Sequence, residues 1–267
     1  MPKVNIPQSE QDSHSQRLLK CTDIWNADLP EEAIKRARRA YFGACSYVDS
    51  NVGKLLKVLK NCKLDKNTIV IFSGDHGDML GERNLWYKMS WFENSARVPL
   101  IVNYPSRFAP RRVPGNVSTM DLLPTLVEMV GGRKQDILPI DGKSLYPALL
   151  GGSVNDEVFG EYMGEGTISP VVMIRRGPWK YTCSLVDEPM LFNLDNDPRE
   201  LNNLVKDPEY AVQVLKFANE AAAKWDLQGI HDKVLGSQRM RRLCWSALRQ
   251  GKFASWDFNP DDDGRKK

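Results

Sequence analysis

An apolar run that ends in a glycine-bracketed polar pair constrains this chain more than any other feature. Residues 68–73, Thr-Ile-Val-Ile-Phe-Ser, lead straight into Gly74-Asp75-His76-Gly77. A short apolar run bounded by turn signals reads as a strand buried in a sheet. In an open α/β sheet, sites form beyond the ends of the strands. Glycine on both sides lets the backbone turn sharply and come close to a ligand. Asp75 offers a hard oxygen ligand and His76 an imidazole nitrogen, so the pair is a candidate for a divalent cation. The same pair also suits a plain turn, with the Asp accepting from backbone N–H groups and the His hydrogen-bonded beside it.

The neighbouring patterns say what kind of sheet this strand would enter. Residues 1–30 are polar and carry Pro2, Pro7 and Pro30, which predicts an extended, loosely packed lead-in. Glu31 and Glu32 then open a helix at its positive end. Ile34, Ala37, Tyr41, Ala44, Val48, Val52, Leu55 and Leu59 recur at helical spacing to about Asn61. A second buried strand is expected over 97–102, and a short helix over 119–130, closed by Gly131-Gly132. Helix and strand alternating in this way predict an α/β sheet with helices on its faces.

Beyond residue 155 the pattern changes to short strands at 158–162, 171–176, 179–183 and 190–194, with Gly177-Pro178 as a turn. They predict a small antiparallel sheet, followed by an amphipathic helix over 208–226 and a basic one over 233–250. The expected division is 1–155 for an α/β unit and 156–267 for a C-terminal subdomain.

Composition narrows the class. Of the 267 residues 42% are hydrophobic and 27% charged, which fits a packed core and argues against disorder. A net charge of +3 is too small to point to nucleic acid. The basic run 35–39 is expected on a solvated helix face. The five cysteines are odd in number and form no CxxC, against a disulfide framework or zinc ribbon and in favour of a reducing compartment. Cys45 and Cys244 fall in apolar helical patterns and are expected as small core residues. With no opening signal-like segment and no run of about 18 apolar residues, the expectation is a cytoplasmic protein without a membrane partner.

Several segments together carry a resemblance. They are GDHG at 74–77, LGE at 80–82, the stretch from Lys88 to Arg97 ending in RVPLI, and DLLPTL at 121–126. These are similar to the type I sulfatases of the alkaline-phosphatase-like superfamily. HSQRL at 14–18, RARRAYFG at 36–43, GDMLGER at 77–83, LWYKMSWFE at 85–93, VMIRR at 172–176 and ALRQGKFASWDF at 247–258 resemble its choline sulfatase branch. The resemblance runs from about residue 12 to 258.

It implies part of an alkaline-phosphatase-like sheet with flanking helices, and hydrolysis of a small-molecule sulfate ester at one divalent metal. Calcium is the ion expected, with magnesium or manganese as alternatives. Asp75 and His76 correspond to metal-side residues, with His76 either a ligand or in contact with the sulfate. Lys88 matches the lysine that neutralises sulfate oxygens, a fixed cation where charge develops. Glu165 is the candidate carboxylate for a choline ammonium, and His14 a residue that approaches the substrate. Trp86, Tyr87, Trp91 and Phe92 are candidates for the aromatic faces that hold such a cation. The family's nucleophile, a formylglycine made from the first residue of C/S-x-P-x-R, has no precursor here. The nearest match, Asn103-Tyr104-Pro105-Ser106-Arg107, begins with Asn and lies downstream of Asp75.

The chain is therefore expected to represent the C-terminal portion of such a protein and to be inactive alone. A phosphoester hydrolase of the same superfamily, or a shortened homologue acting by protein association through an exposed sheet edge, are the other readings. Choline sulfatases associate through their C-terminal tails, so Phe253, Trp256 and Phe258 are expected to make a homo-oligomer.

Overall fold

The structure is a computed structural model and describes residues 1–133 and 139–251. The lead-in is not loose. A helix, α1 (Ser13–Cys21), starts where Asp12 accepts from the Ser15 amide, and it buries His14, Ser15, Leu18 and Leu19. Its sequence hides this because only two large apolar residues face inward. They pack with Met79, Leu85, Phe92, Phe192 and Leu194 into one core. That core joins residues from both sides of position 155.

The predicted long helix is present as α2 (Glu31–Asn61), with Pro30 before its first turn and Glu31 and Glu32 inside it. None of its 31 residues is buried. Tyr47, Leu55 and Val58 are more than half exposed, as are Ile101 and Leu123 on nearby elements. The basic run is only partly a solvated face, because Arg38 donates to Leu80 O at 2.6 Å and lies 3.5 Å from Glu82.

The strand before GDHG is β1 (Val70–Ser73), and the next is β2 (Leu100–Asn103) after a single helical turn α3 (Glu93–Ala96). They pair antiparallel, Val70 opposite Asn103 and Ser73 opposite Leu100. Neither is buried as the apolar runs suggested: Phe72 and Ile101 are exposed, since no described residues cover that side of the two-stranded ribbon. Cys45 and Cys244, expected as core residues, are exposed, since no described residues bury the helix faces that carry them. A capped turn at Thr119–Asp121 leads into α4 (Leu122–Met129), and α5 (Tyr146–Leu149) follows.

The second half is a four-stranded antiparallel meander of β3 (Glu157–Tyr162), β4 (Val171–Arg176), β5 (Trp179–Cys183) and β6 (Met190–Asn193). Gly177, at φ +51°, makes the tight β4–β5 turn that its residue type predicts. Alternation places Val172, Ile174 and Tyr181 on one face, under Phe217 and Ala221 of α6 (Ala211–Lys224) and Trp225 just after it. The opposite face carries Lys180 and Thr182, both buried. The last helix, α7 (Leu227–Leu248), buries no residue. No helix among the described residues is long and apolar enough to cross a membrane. The tail aromatics Phe253, Trp256 and Phe258 lie outside the described residues.

Candidate functional site

β1 delivers the Gly74–Gly77 loop, and its two glycines differ in what they do. Gly77 is a close-approach position: a Cβ there would lie 2.0 Å from Asn94 O, and its N–H donates to Ser95 O at 2.7 Å. The loop is thus pressed against α3. Gly74 has only ordinary contacts, at 3.7 Å and beyond.

Asp75 and His76 project outward between them. Asp75 Oδ1 accepts from the His76 N–H at 2.9 Å. That bond and the Asp75 backbone amide hold the carboxyl below the usual carboxylate range, with Lys88 adding a smaller attraction. His76 Nδ1 lies 2.8 Å from Gly77 O. A carbonyl only accepts, so Nδ1 donates and the neutral ring keeps its lone pair on Nε2. That nitrogen faces Asp75 Oδ2 at 3.4 Å. Two electron-rich atoms turned toward one another, one of them oriented by a backbone carbonyl, is an arrangement suited to sharing a cation. They are two donors only. Among the described residues no group of three or more His, Cys, Asp or Glu could hold a metal ion, whereas calcium takes about six to eight oxygen-rich ligands. The described residues therefore fit part of a metal site and not a complete one.

Lys88 stands on an irregular loop whose strain the sequence did not reveal. Tyr87 and Met89, on either side of it, have φ of +66° and +68°, and Leu80, Arg83 and Asn84 are also in the left-handed region. Non-glycine residues pay to sit there, and such strain gathers at functional loops. The exposed Lys88 ammonium attracts both Asp75 and Glu165, so these three charges share one electrostatic neighbourhood.

Glu165 comes from the loop after β3. Its Oε2 accepts from Tyr162 Oη at 2.9 Å. Its own backbone amide first, and then Tyr162, hold its carboxyl low, while burial and the carboxylate push the Tyr162 phenol well above its ordinary value. Tyr162 was not singled out in the sequence, although its position three residues before Glu165 was a usable signal.

His14 sits deeper, with Nε2 2.7 Å from Met89 O, Nδ1 3.3 Å from Gly166 O, and its ring edge-on to Tyr162. Glu93 turns away from Lys88 to the buried Lys180, at 2.6 Å. Of the aromatic candidates, Tyr87 is exposed beside Lys88, and Phe92 is core. Trp91 packs on Gly160 and donates to Val171 O at 3.1 Å.

Known proteins are similar to this chain over much of its length. The sulfatase family model matches residues 7–132, the N-sulphoglucosamine sulphohydrolase C-terminal model residues 81–224, and the choline sulfatase enzyme C-terminal model residues 232–267. A choline-sulfatase of Rhizobium meliloti (strain 1021) is 41% identical over 97% of this chain and 51% of its own length. The structure of a putative sulfatase from Bacteroides fragilis superposes with a TM-score of 0.66 at 25% identity, over 80% of this chain and 48% of that one. The phosphonate monoester hydrolase of Agrobacterium radiobacter does so with a TM-score of 0.65 at 28% identity, over 76% and 43%. The chain spans about half the length of the choline-sulfatase it matches. Its fold is that of the alkaline-phosphatase-like sulfatases, and the chain belongs to the type I sulfatase family, in the choline sulfatase branch, as its C-terminal portion.

Proposed function

We propose that this chain forms one wall of the active site of a sulfuric-ester hydrolase that converts choline sulfate and water to choline and sulfate. The observation that carries the reading is the position of Lys88, whose charge reaches both the Asp75–His76 pair and Glu165. In this reading Lys88 neutralises the sulfate oxygens, and Glu165, steadied by Tyr162, meets the quaternary ammonium. Asp75 and His76 supply two ligands to a divalent cation, calcium in the first instance, which would polarise the sulfuryl group when bound. The nucleophile is not among the residues of this chain.

A second reading, a phosphoester or phosphonate-ester hydrolase, draws on the likeness to the Agrobacterium phosphonate monoester hydrolase. The test is co-expression of this chain with the half of the Rhizobium choline-sulfatase that it does not match. Sulfate release from choline sulfate is expected, with a fall of about 10²-fold or more in Lys88→Ala, as for loss of one charge-stabilising group. Turnover of phosphonate monoesters but not of choline sulfate would favour the second reading. Full activity in Lys88→Ala would remove both.

A further inference from the structure

The ring of His14 touches two backbone carbonyls, and each belongs to one pole of the proposed site. Nε2 lies 2.7 Å from the oxygen of Met89, the residue after Lys88. Nδ1 lies 3.3 Å from the oxygen of Gly166, the residue after Glu165. A carbonyl oxygen only accepts, and a neutral imidazole has a single N–H. Both contacts are hydrogen bonds together only when both ring nitrogens carry protons.

His14 is buried at the border of a cavity of about 180 Å³ lined by Asp12, Asp187, Glu188 and Glu200, of which Glu200 pairs with Lys180, Glu188 with Lys206 and Asp187 with Arg17. Cys183 also faces this cavity, and burial pushes its thiol up to about 11, so it adds no charge. Arg17, one turn further along α1, donates to the same Gly166 oxygen at 2.6 Å, but Asp187 matches its charge at 2.9 Å. From the end of β3, Tyr162 lies across the His14 ring with centroids 5.9 Å apart and directs its hydroxyl to Glu165. Lys88 itself is exposed. The loop also sits tightly on α1: Gly166 has φ +76°, and a Cβ there would come within 2.7 Å of Leu18 and 3.3 Å of the His14 ring.

We propose that His14 is a positioning residue, a doubly donating staple that fixes the Lys88 segment and the Glu165 loop at one separation. It thereby sets the length of ester that reaches from the sulfate pole to the ammonium pole. The proposal rests on the reading of Lys88 and Glu165 as those poles, but its test does not.

The test uses the 267-residue chain with ¹⁵N-labelled histidine. Two-bond ¹H–¹⁵N spectra are recorded at near-neutral pH. The three histidines are assigned with His76→Gln and His231→Gln. Protonated-type shifts at both His14 nitrogens are expected, and one protonated and one bare nitrogen overturns the staple. His14→Gln offers a single donor nitrogen. It is expected to raise amide exchange about 10-fold or more in residues 86–90 or 163–168 while β4 and β5 stay protected. Unchanged exchange in both segments overturns the proposal. If β4 and β5 also lose protection the variant has misfolded, and the wild-type spectrum alone decides. A doubly protonated ring in a chain that never supports ester hydrolysis would sink the functional reading and leave the staple standing.

Discussion

Lys180 Nζ lies 2.8 Å from Glu200 Oε1, with both side chains almost sealed from solvent. The same ammonium donates to Glu93 at 2.6 Å and to Trp91 O at 2.7 Å, so it ties β5 to the segment that follows Lys88. Burial pushes the Glu200 carboxyl up, against the pull of Lys180. Removing one partner of a buried pair strands the other, so Lys180→Met is expected to cost about 3–5 kcal/mol in denaturant unfolding. The folded value of Glu200 lies above its unfolded one. Its contribution is therefore fully present below the unfolded value, about 4.3, and is lost as pH rises through the folded value. Without Lys180 this loss deepens, so the penalty should be larger at pH 8 than at pH 5. Equal penalties at the two pH values would contradict the account.

Arg176 forms the opposite case, at a more open place. Its guanidinium bonds Glu157 from β3 and, at 2.7 Å, Glu220 from α6, clamping the helix to the sheet. The bond from Arg176 lowers the Glu220 carboxyl. A depressed folded value contributes stability above the unfolded value and loses it as pH falls through the folded one. Glu220→Gln should therefore cost about 1 kcal/mol at pH 7 and progressively less as the pH falls, the pair being partly solvated. Thermal unfolding across that range is the measurement, and a penalty that grows on acidification would refute it.

Gly77 gives a prediction from space alone. Alanine would place a Cβ against the Asn94 carbonyl, which is backbone and cannot rotate away. Gly77→Ala is expected to cost about 1–3 kcal/mol, the usual range for overpacking. Gly74→Ala, with only ordinary contacts, should cost less than half as much. Paired unfolding curves settle the order, and a costlier Gly74→Ala would be inconsistent with the loop geometry.

These contacts also mark how far the sequence could be read. Helical and alternating periodicity located α2, α6 and the β3–β6 meander, because each element has a face that its neighbours cover or that its pattern declares. Burial was another matter. The apolar runs of β1 and β2 read as core, yet Phe72 and Ile101 are exposed, since a run cannot say whether a neighbour is present. α1 escaped notice because two leucines and a capping Asp12 are too short a pattern. At the candidate site, motif resemblance singled out Asp75, His76 and Lys88, and the fold brings their charges into one neighbourhood. Tyr162 had a local signal, three residues before Glu165, that was passed over, whereas Arg17 was hidden because its partners Gly166 and Asp187 lie far along the chain.

The C-terminal helix leads to an association experiment. On α7, Met240, Leu243, Trp245 and Leu248 are exposed, and the tail aromatics follow within ten residues of Leu248. Burial of such side chains against a second copy would remove apolar surface from water. Sedimentation is expected to show a self-associating chain that becomes more monomeric when residues 251–267 are removed. Identical monomeric profiles for both would end the idea.

The Asp75–His76 pair sets the last expectation. Two donors converge at 3.4 Å, but no third ligand among the described residues joins them. Affinity for a hard cation follows ligand number and charge, so the chain alone should bind calcium only at about millimolar concentration or weaker. Histidine resonances followed through a calcium titration would report this, with the His76 shift change abolished in Asp75→Ala. Without a nucleophile and with a partial ligand set, the purified chain should release no sulfate from choline sulfate above that same Asp75→Ala control. Release above the control would show that the 267 residues already hold a complete catalytic apparatus. Micromolar calcium binding without release would contradict a ligand set limited to the Asp75–His76 pair.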